Sequence, residues 1–136
     1  MRTTENLPGT TSATRTFDRR PNTVPTARSW TTQTYVGFGA AEETVGTCRL
    51  LISEVITNAV NYGEGAEYIV VVYPDLWIEV WDEASALPHR REQNDLLSEG
   101  GRGLELLEGL APGFQVIPDL VRGGKCVRFQ PKGWPE

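Results

Sequence analysis

The sequence predicts an α/β chain of the α+β two-layer sandwich type, with a mixed, mostly antiparallel sheet of about five strands covered on one face by three helices. Three observations carry this expectation. Residues 41–62 place apolar side chains at three- and four-residue steps, the period of a helix. Residues 67–82 are instead rich in β-branched and aromatic residues and turn at Pro74-Asp75, the pattern of a hairpin. The 136 residues suit one domain and are too few for two ordinary ones. Hydrophobic residues make up 39% and 14 glycines bring the usual apolar share to about half, which excludes disorder of the whole chain. A chain of this size buries roughly two thirds of its unfolded surface without disulfides or metals.

Residues 1–13 are rich in Thr, Ser, Asn, Gly and Pro and read as a disordered tail; 14–131 form the domain, and 132–136 are a short C-terminal tail. Thr14 to Arg19 reads as an edge strand anchored by Phe17. Asn22 is the expected cap of a helix from Thr23 to Phe38, with Pro25 in its tolerant first turn and Ala27, Trp30, Thr34 and Phe38 on its apolar face. In the long helix Ala41 to Tyr62, the stripe is Val45, Cys48, Ile52, Val55, Ile56 and Ala59, and Gly63 ends it. Strands Glu67 to Tyr73 and Leu76 to Asp82 should be central in the sheet. Residues 83–98 form a long polar loop, expected to be mobile without ligand. Gly100-Gly101-Arg102-Gly103 opens a short helix to Leu110, and Phe114 to Ile117 pairs with Lys125 to Gln130 across Gly123-Gly124.

Charge and composition narrow the function. Thirteen Lys+Arg against 18 Asp+Glu give a net charge of −5, which argues against a sequence-independent grip on nucleic acid. No apolar run approaches the ~20 residues that span a bilayer, and the first 20 residues hold no secretory apolar core. Cys48 and Cys126 stand far apart without His or Cys at ligand spacing, and His89 is the sole histidine. A cytoplasmic chain without a membrane or nucleic-acid partner is therefore expected.

Three constellations carry chemistry. On a wheel of ~100° per residue, Glu54, Asn58 and Asn61 fall within about 60° of one another, opposite the apolar stripe. Asn is a poor choice for a merely solvated helix face, and Leu50 and Leu51 beside the trio suggest a pocket wall. Amide and carboxylate oxygens are hard ligands suited to Mg²⁺, although an ordinary exposed face with two incidental asparagines explains the same residues. Glycines around Arg102 let backbone N–H groups approach an anion, or simply make a turn. Neither the P-loop nor the dinucleotide fingerprint is present, since Cys126 follows Lys125 and Leu106 takes the third glycine position. Asp82, at the end of a strand, can accept from an exocyclic amine or cap a turn.

The order and spacing of these signals resemble the GHKL ATPase superfamily, which includes gyrase, a heat-shock chaperone, histidine kinases and MutL. Ser53-Glu54-Val55-Ile56-Thr57-Asn58-Ala59-Val60 resembles its N box, Asp82 the aspartate of its G1 box, and Gly101-Arg102-Gly103-Leu104 its G2 box. Gly123-Gly124-Lys125-Cys126-Val127 stands where the family has its last motif. The chain is most similar to the short RsbW-like anti-sigma factors that are also serine/threonine kinases. The resemblance implies a Bergerat-type ATP-binding fold, with ATP and Mg²⁺ as cofactors. It implies that Asn58 ligates Mg²⁺, that Glu54 is the general base or orients the attacking group, and that Asp82 binds the adenine amine. It further implies that Gly101, Arg102, Gly103 and Leu104 form part of a lid, with Asn61, Lys125 and Cys126 also at the nucleotide. Implied partners are a sigma factor and an anti-anti-sigma protein of STAS type, with a homodimer possible in this branch. The sequence departs from the family in three places: Glu83 to Pro88 replace the glycines after the G1 aspartate, Asn61 and Tyr62 stand where a cation and His are common, and Cys126 replaces a frequent Thr. A non-catalytic binding module of the same fold is the alternative these departures suggest.

Overall fold

A computed structural model describes residues 11–82, 102–118 and 124–131, without the side chains of Asp82 and of residues 102–104. The first ten residues of the expected tail, the long polar loop, Gly101, His89 and residues 132–136 lie outside the described residues.

The elements run β1 (Ala13–Asp18), a 3₁₀ turn (Pro21–Thr23), α1 (Val24–Gly37), α2 (Glu42–Tyr62), β2 (Glu67–Val72) and β3 (Ile78–Asp82). They continue with α3 (Arg102–Leu110), β4 (Gln115–Pro118) and β5 (Lys125–Phe129). The sheet order is β1-β2-β3-β5-β4, so the hairpin strands are central as expected. Every described pairing is antiparallel.

Side-chain alternation sorts the sheet into two faces. Phe17, Tyr68, Val70, Val72, Ile78, Val80, Val127 and Phe129 join the core beneath the helices. On the other face lie Ile69, Trp81, Cys126 and Ile117, aligned across four strands by the register. There Glu79 accepts from Tyr73 Oη and Trp81 Nε1, each at 3.0 Å, and from Arg128 Nε at 3.2 Å, while the Arg128 guanidinium covers the Trp77 ring. These two tryptophans therefore belong to the open sheet face, and Trp30 packs edge-on against Phe17 in the core.

The helix layer has α2 at its centre. α2 packs against both α1 and α3 and lies over β3. Its buried residues are Thr44, Cys48, Leu51, Ile52, Val55, Ile56, Ala59 and Val60, so the stripe is as read except that Val45 gives way to Thr44, Leu51 and Val60. Gly63 ends the helix in extended backbone, its N–H donating to the Ala59 carbonyl at 2.9 Å. α1 ends at Gly37 with Phe38 as its C-cap, and the chain turns away at Gly39, whose φ of 93° is open to glycine.

Asn22 is not the cap of α1. It sits inside the 3₁₀ turn, and Thr23 precedes the helix without a side-chain cap bond. The Thr23 hydroxyl instead joins the Tyr68 hydroxyl at 2.8 Å and the Asp18 carbonyl, tying the helix entry to the sheet. In the hairpin, Leu76 has a φ of 74°, a conformation that disfavours L residues by about 1–2 kcal/mol. Its side chain packs on the core, and its carbonyl accepts from the buried Tyr35 hydroxyl. Burial pushes the Tyr35 phenol well above its ordinary range and the Cys48 thiol up to about 12. Cys48 and Cys126 are both buried, Cys48 in α2 and Cys126 in β5.

Candidate functional site

The middle position of α2 fixes where its polar residues point. Arg28 of α1 donates to Ser53 Oγ at 3.3 Å, so the Arg49–Ser53 flank of α2 faces α1. Asn58 and Glu54 lie more than 90° around the helix from Ser53, on the flank left for α3. Both are half-buried, whereas Asn61, in the last turn, is exposed.

This corrects the wheel drawn from the sequence in one respect. With Thr44 and Leu51 in the core, the trio borders the buried stripe and does not oppose it. Leu51 is completely buried and is no pocket wall, while Leu50 is 46% exposed on the α1 side. A half-buried flank between two helices holds a carboxylate and an amide more firmly than an open face would, because packing restricts their rotamers.

Asp82 ends β3 opposite Tyr68, and β5 is the next strand. In β5 the register places Lys125, Val127 and Phe129 on the helix side. Cys126 is buried on the other face, opposite Trp81 and Ile117. Lys125 thus lies on the sheet face beneath the helices, and Cys126 on the opposite face. Arg102, Gly103 and Leu104 open α3, which is anchored by the fully buried Leu107 and lies against α2. The N box and G2 segments are therefore on neighbouring helices, with the G1 and last motifs on neighbouring strands below. Gly101 lies outside the described residues.

Arg19 was not singled out from the sequence. Its Nε donates to the Gly65 carbonyl and its Nη1 to the Val60 carbonyl, each at 2.7 Å. Val60 is in the last turn of α2, which carries no basic residue of its own, so Arg19 supplies both a capping donor and the cation favoured at a helix C-terminus. It holds the turn that follows Asn58. Only the Arg19-Arg20-Pro21 cluster signals it, because its partners are 41 and 46 residues away.

The donors fit a magnesium nucleotide. Mg²⁺ takes one or two protein oxygens and leaves its other positions to water and phosphate, so an amide oxygen on Asn58 suffices. No cluster of three His, Cys, Asp or Glu residues exists among the described residues, and none is required for this mode.

The description "Histidine kinase-like ATPase domain" matches residues 17–130. The chain belongs to this family. It is accordingly a nucleotide-binding ATPase-type domain. A crystal structure of the RsbU and RsbW domains of a Mycobacterium tuberculosis protein is similar at 19% identity and a TM-score of 0.63. That match covers 91% of this chain and 33% of the other, so this chain spans about a third of that structure's length and shares its fold. No curated protein matches the sequence. No helix among the described residues is long and apolar enough to cross a membrane.

Proposed function

We propose that this protein is a cytoplasmic anti-sigma regulatory factor that binds ATP with Mg²⁺, phosphorylates a Ser or Thr of a STAS-type anti-anti-sigma partner, and sequesters a sigma factor. The observation that carries the reading is the placement of Glu54 and Asn58, half-buried and one turn apart, on the flank of α2 against which α3 lies. The family membership and the RsbW domain named for the M. tuberculosis structure support the branch.

In this reading Asn58 holds Mg²⁺, which when bound neutralises charge on the phosphate oxygens. Asp82 receives the adenine amine. Asn61, Lys125 and the Arg102–Leu104 start of α3, preceded by Gly101, contact the phosphates. Glu54 accepts the proton of the partner's hydroxyl as its oxygen bonds to the γ-phosphorus and the bond to the ADP oxygen breaks. Positioning and charge neutralisation supply most of the rate for such a loose transition state. Incubation with radiolabelled ATP, Mg²⁺ and candidate STAS proteins tests it: transfer to one partner, lost in Glu54→Gln with nucleotide binding retained, is expected. Intact binding with no transfer to any partner removes the kinase.

A second reading has its own observations. Asn61 is exposed and uncharged where the branch carries a cation, and Cys126 faces away from the helices. A non-catalytic partner-switching module of the same fold would tolerate both. It predicts weak or absent Mg-ATP binding with partner capture intact. A homodimer is proposed with either reading, and sedimentation equilibrium decides it.

A further inference from the structure

One row of the sheet ends at Asp82. The register aligns Phe17 of β1, Tyr68 of β2 and Asp82 of β3 across three strands. Among the described pairings, the β2–β3 ladder stops at this rung, and the β3–β5 ladder stops one residue earlier, at Trp81 opposite Cys126. Asp82 is thus held in the sheet from the β2 side, across from Tyr68. Tyr68 is itself fixed from two directions and has no solvent exposure. Its ring stacks on Phe17 with centroids 5.5 Å apart and planes at 22°, and Trp30 of α1 packs edge-on against Phe17 at 6.0 Å. Its hydroxyl lies 2.8 Å from Thr23 Oγ1, its sole hydrogen-bond partner among the described residues. The Asp18 and Arg20 carbonyls, 2.8 and 2.9 Å from the same Thr23 oxygen, can only accept. The single Thr23 proton therefore goes to them, and Tyr68 donates to Thr23.

We propose that Thr23 and Tyr68 are positioning residues for base selection: by fixing the rung that carries Asp82, they set the preference for a purine nucleotide with an exocyclic amine over one without. This rests on the reading of Asp82 as the residue that receives the adenine amine. It adds two residues that lie outside the motifs of that reading, one in the turn before α1 and one in β2. An amine and a carboxylate oxygen bond well only at about 2.7–3.2 Å, so the backbone beneath the carboxylate tolerates little movement. A tie between the helix entry and the sheet could end on any residue of β1 or β2, and here it ends on the β2 residue paired with Asp82. Removing the Thr23 oxygen leaves a fully buried hydroxyl without its partner. Such a group must move to find water, and the rung moves with it.

The test uses the full chain and two magnesium nucleotides, ATP and purine riboside triphosphate, whose base is adenine without its amine. Titration calorimetry gives both affinities, and hence their ratio, for the wild type and for Asp82→Ala, Thr23→Val, Thr23→Ser and Tyr68→Phe. The wild type is expected to prefer ATP by about tenfold or more, the worth of a hydrogen bond to a charged group, and Asp82→Ala to lose that preference. Thr23→Val keeps the side chain's shape without its oxygen, and Tyr68→Phe keeps the ring without its proton. Each should lower the ratio by about threefold or more through weaker ATP binding alone, while Thr23→Ser keeps the wild-type ratio. A merely structural tie would not move this readout, because lost stability weakens both nucleotides alike. A wild-type ratio in Thr23→Val or Tyr68→Phe, or a Thr23→Ser ratio no better than that of Thr23→Val, overturns the positioning role and leaves Asp82 standing. No preference in the wild type, or a preference that survives Asp82→Ala, overturns both.

Discussion

Replacing Arg19 by Ala removes both hydrogen bonds that fasten the end of α2, to the Gly65 and Val60 carbonyls at 2.7 Å. Hydrogen bonds from a charged group contribute about 1.5–3 kcal/mol each when shielded. These are part-buried and water can reach the carbonyls once the guanidinium has gone, so roughly 2 kcal/mol for the pair is a fair expectation. For a domain of this size that lowers the melting temperature by roughly 6–10 °C. Arg19→Lys keeps a cation near the helix end but loses the fork, and should recover less than half of the loss. Because the clamped turn follows Asn58, nucleotide affinity should fall more than global stability explains at temperatures where the variant remains folded. Circular dichroism melts and Mg-ATP titration of the three proteins read this out. A shift below about 1 °C, or full rescue by Lys, would refute the clamp.

Two further outcomes follow from burial. Leu51→Ala empties a site with no solvent exposure and should cost about 2–5 kcal/mol in denaturant unfolding, while Leu50→Ala should stay within about 0.5 kcal/mol; equal effects would mean that the two leucines have been assigned to the wrong sides of α2. Cys48 has its thiol pushed from 9.0 to about 12 by burial, so the unfolded chain ionises there before the folded one does. The stability this confers is complete below pH 9 and is lost as pH rises toward 12; Tyr35, also raised, adds loss above pH 10. Cys48→Ala should therefore move the start of the alkaline decline from about pH 9 to about pH 10, and an unchanged profile would show that Cys48 is not its source.

Much of this fold is legible in local sequence because its elements obey simple periods. The long helix declares itself by its three- and four-residue steps, and the central hairpin by alternation around Pro74-Asp75, so each begins and ends within about two residues of expectation. What escaped the sequence depends on partners far along the chain. Thr23 displaces Asn22 because its hydroxyl meets Tyr68, 45 residues away. Leu50 and Leu51 are chemically identical neighbours, and only the position of α2 between α1 and α3 decides that Leu51 is core and Leu50 is exposed. Lys125, Cys126 and Val127 are similarly ambiguous: Cys126 and Val127 are both buried, on opposite faces, and the face is fixed by the pairing with Trp81 and Val80. At the candidate site, the spacing of Glu54 and Asn58 on one helix was readable, whereas their adjacency to α3 follows from the order of the helix layer.

The central claim is that Asn58 and Glu54 on the α3 flank of α2 serve a magnesium nucleotide. Isothermal titration of Mg-ATP into the wild-type chain and into Asn58→Ala tests it most directly. The account predicts a saturable one-site heat that EDTA diminishes and that Asn58→Ala weakens about 10-fold or more, at least the loss seen when a metal site's outer partners are removed. Equal affinity in the two proteins, or no binding by the wild type, would contradict it.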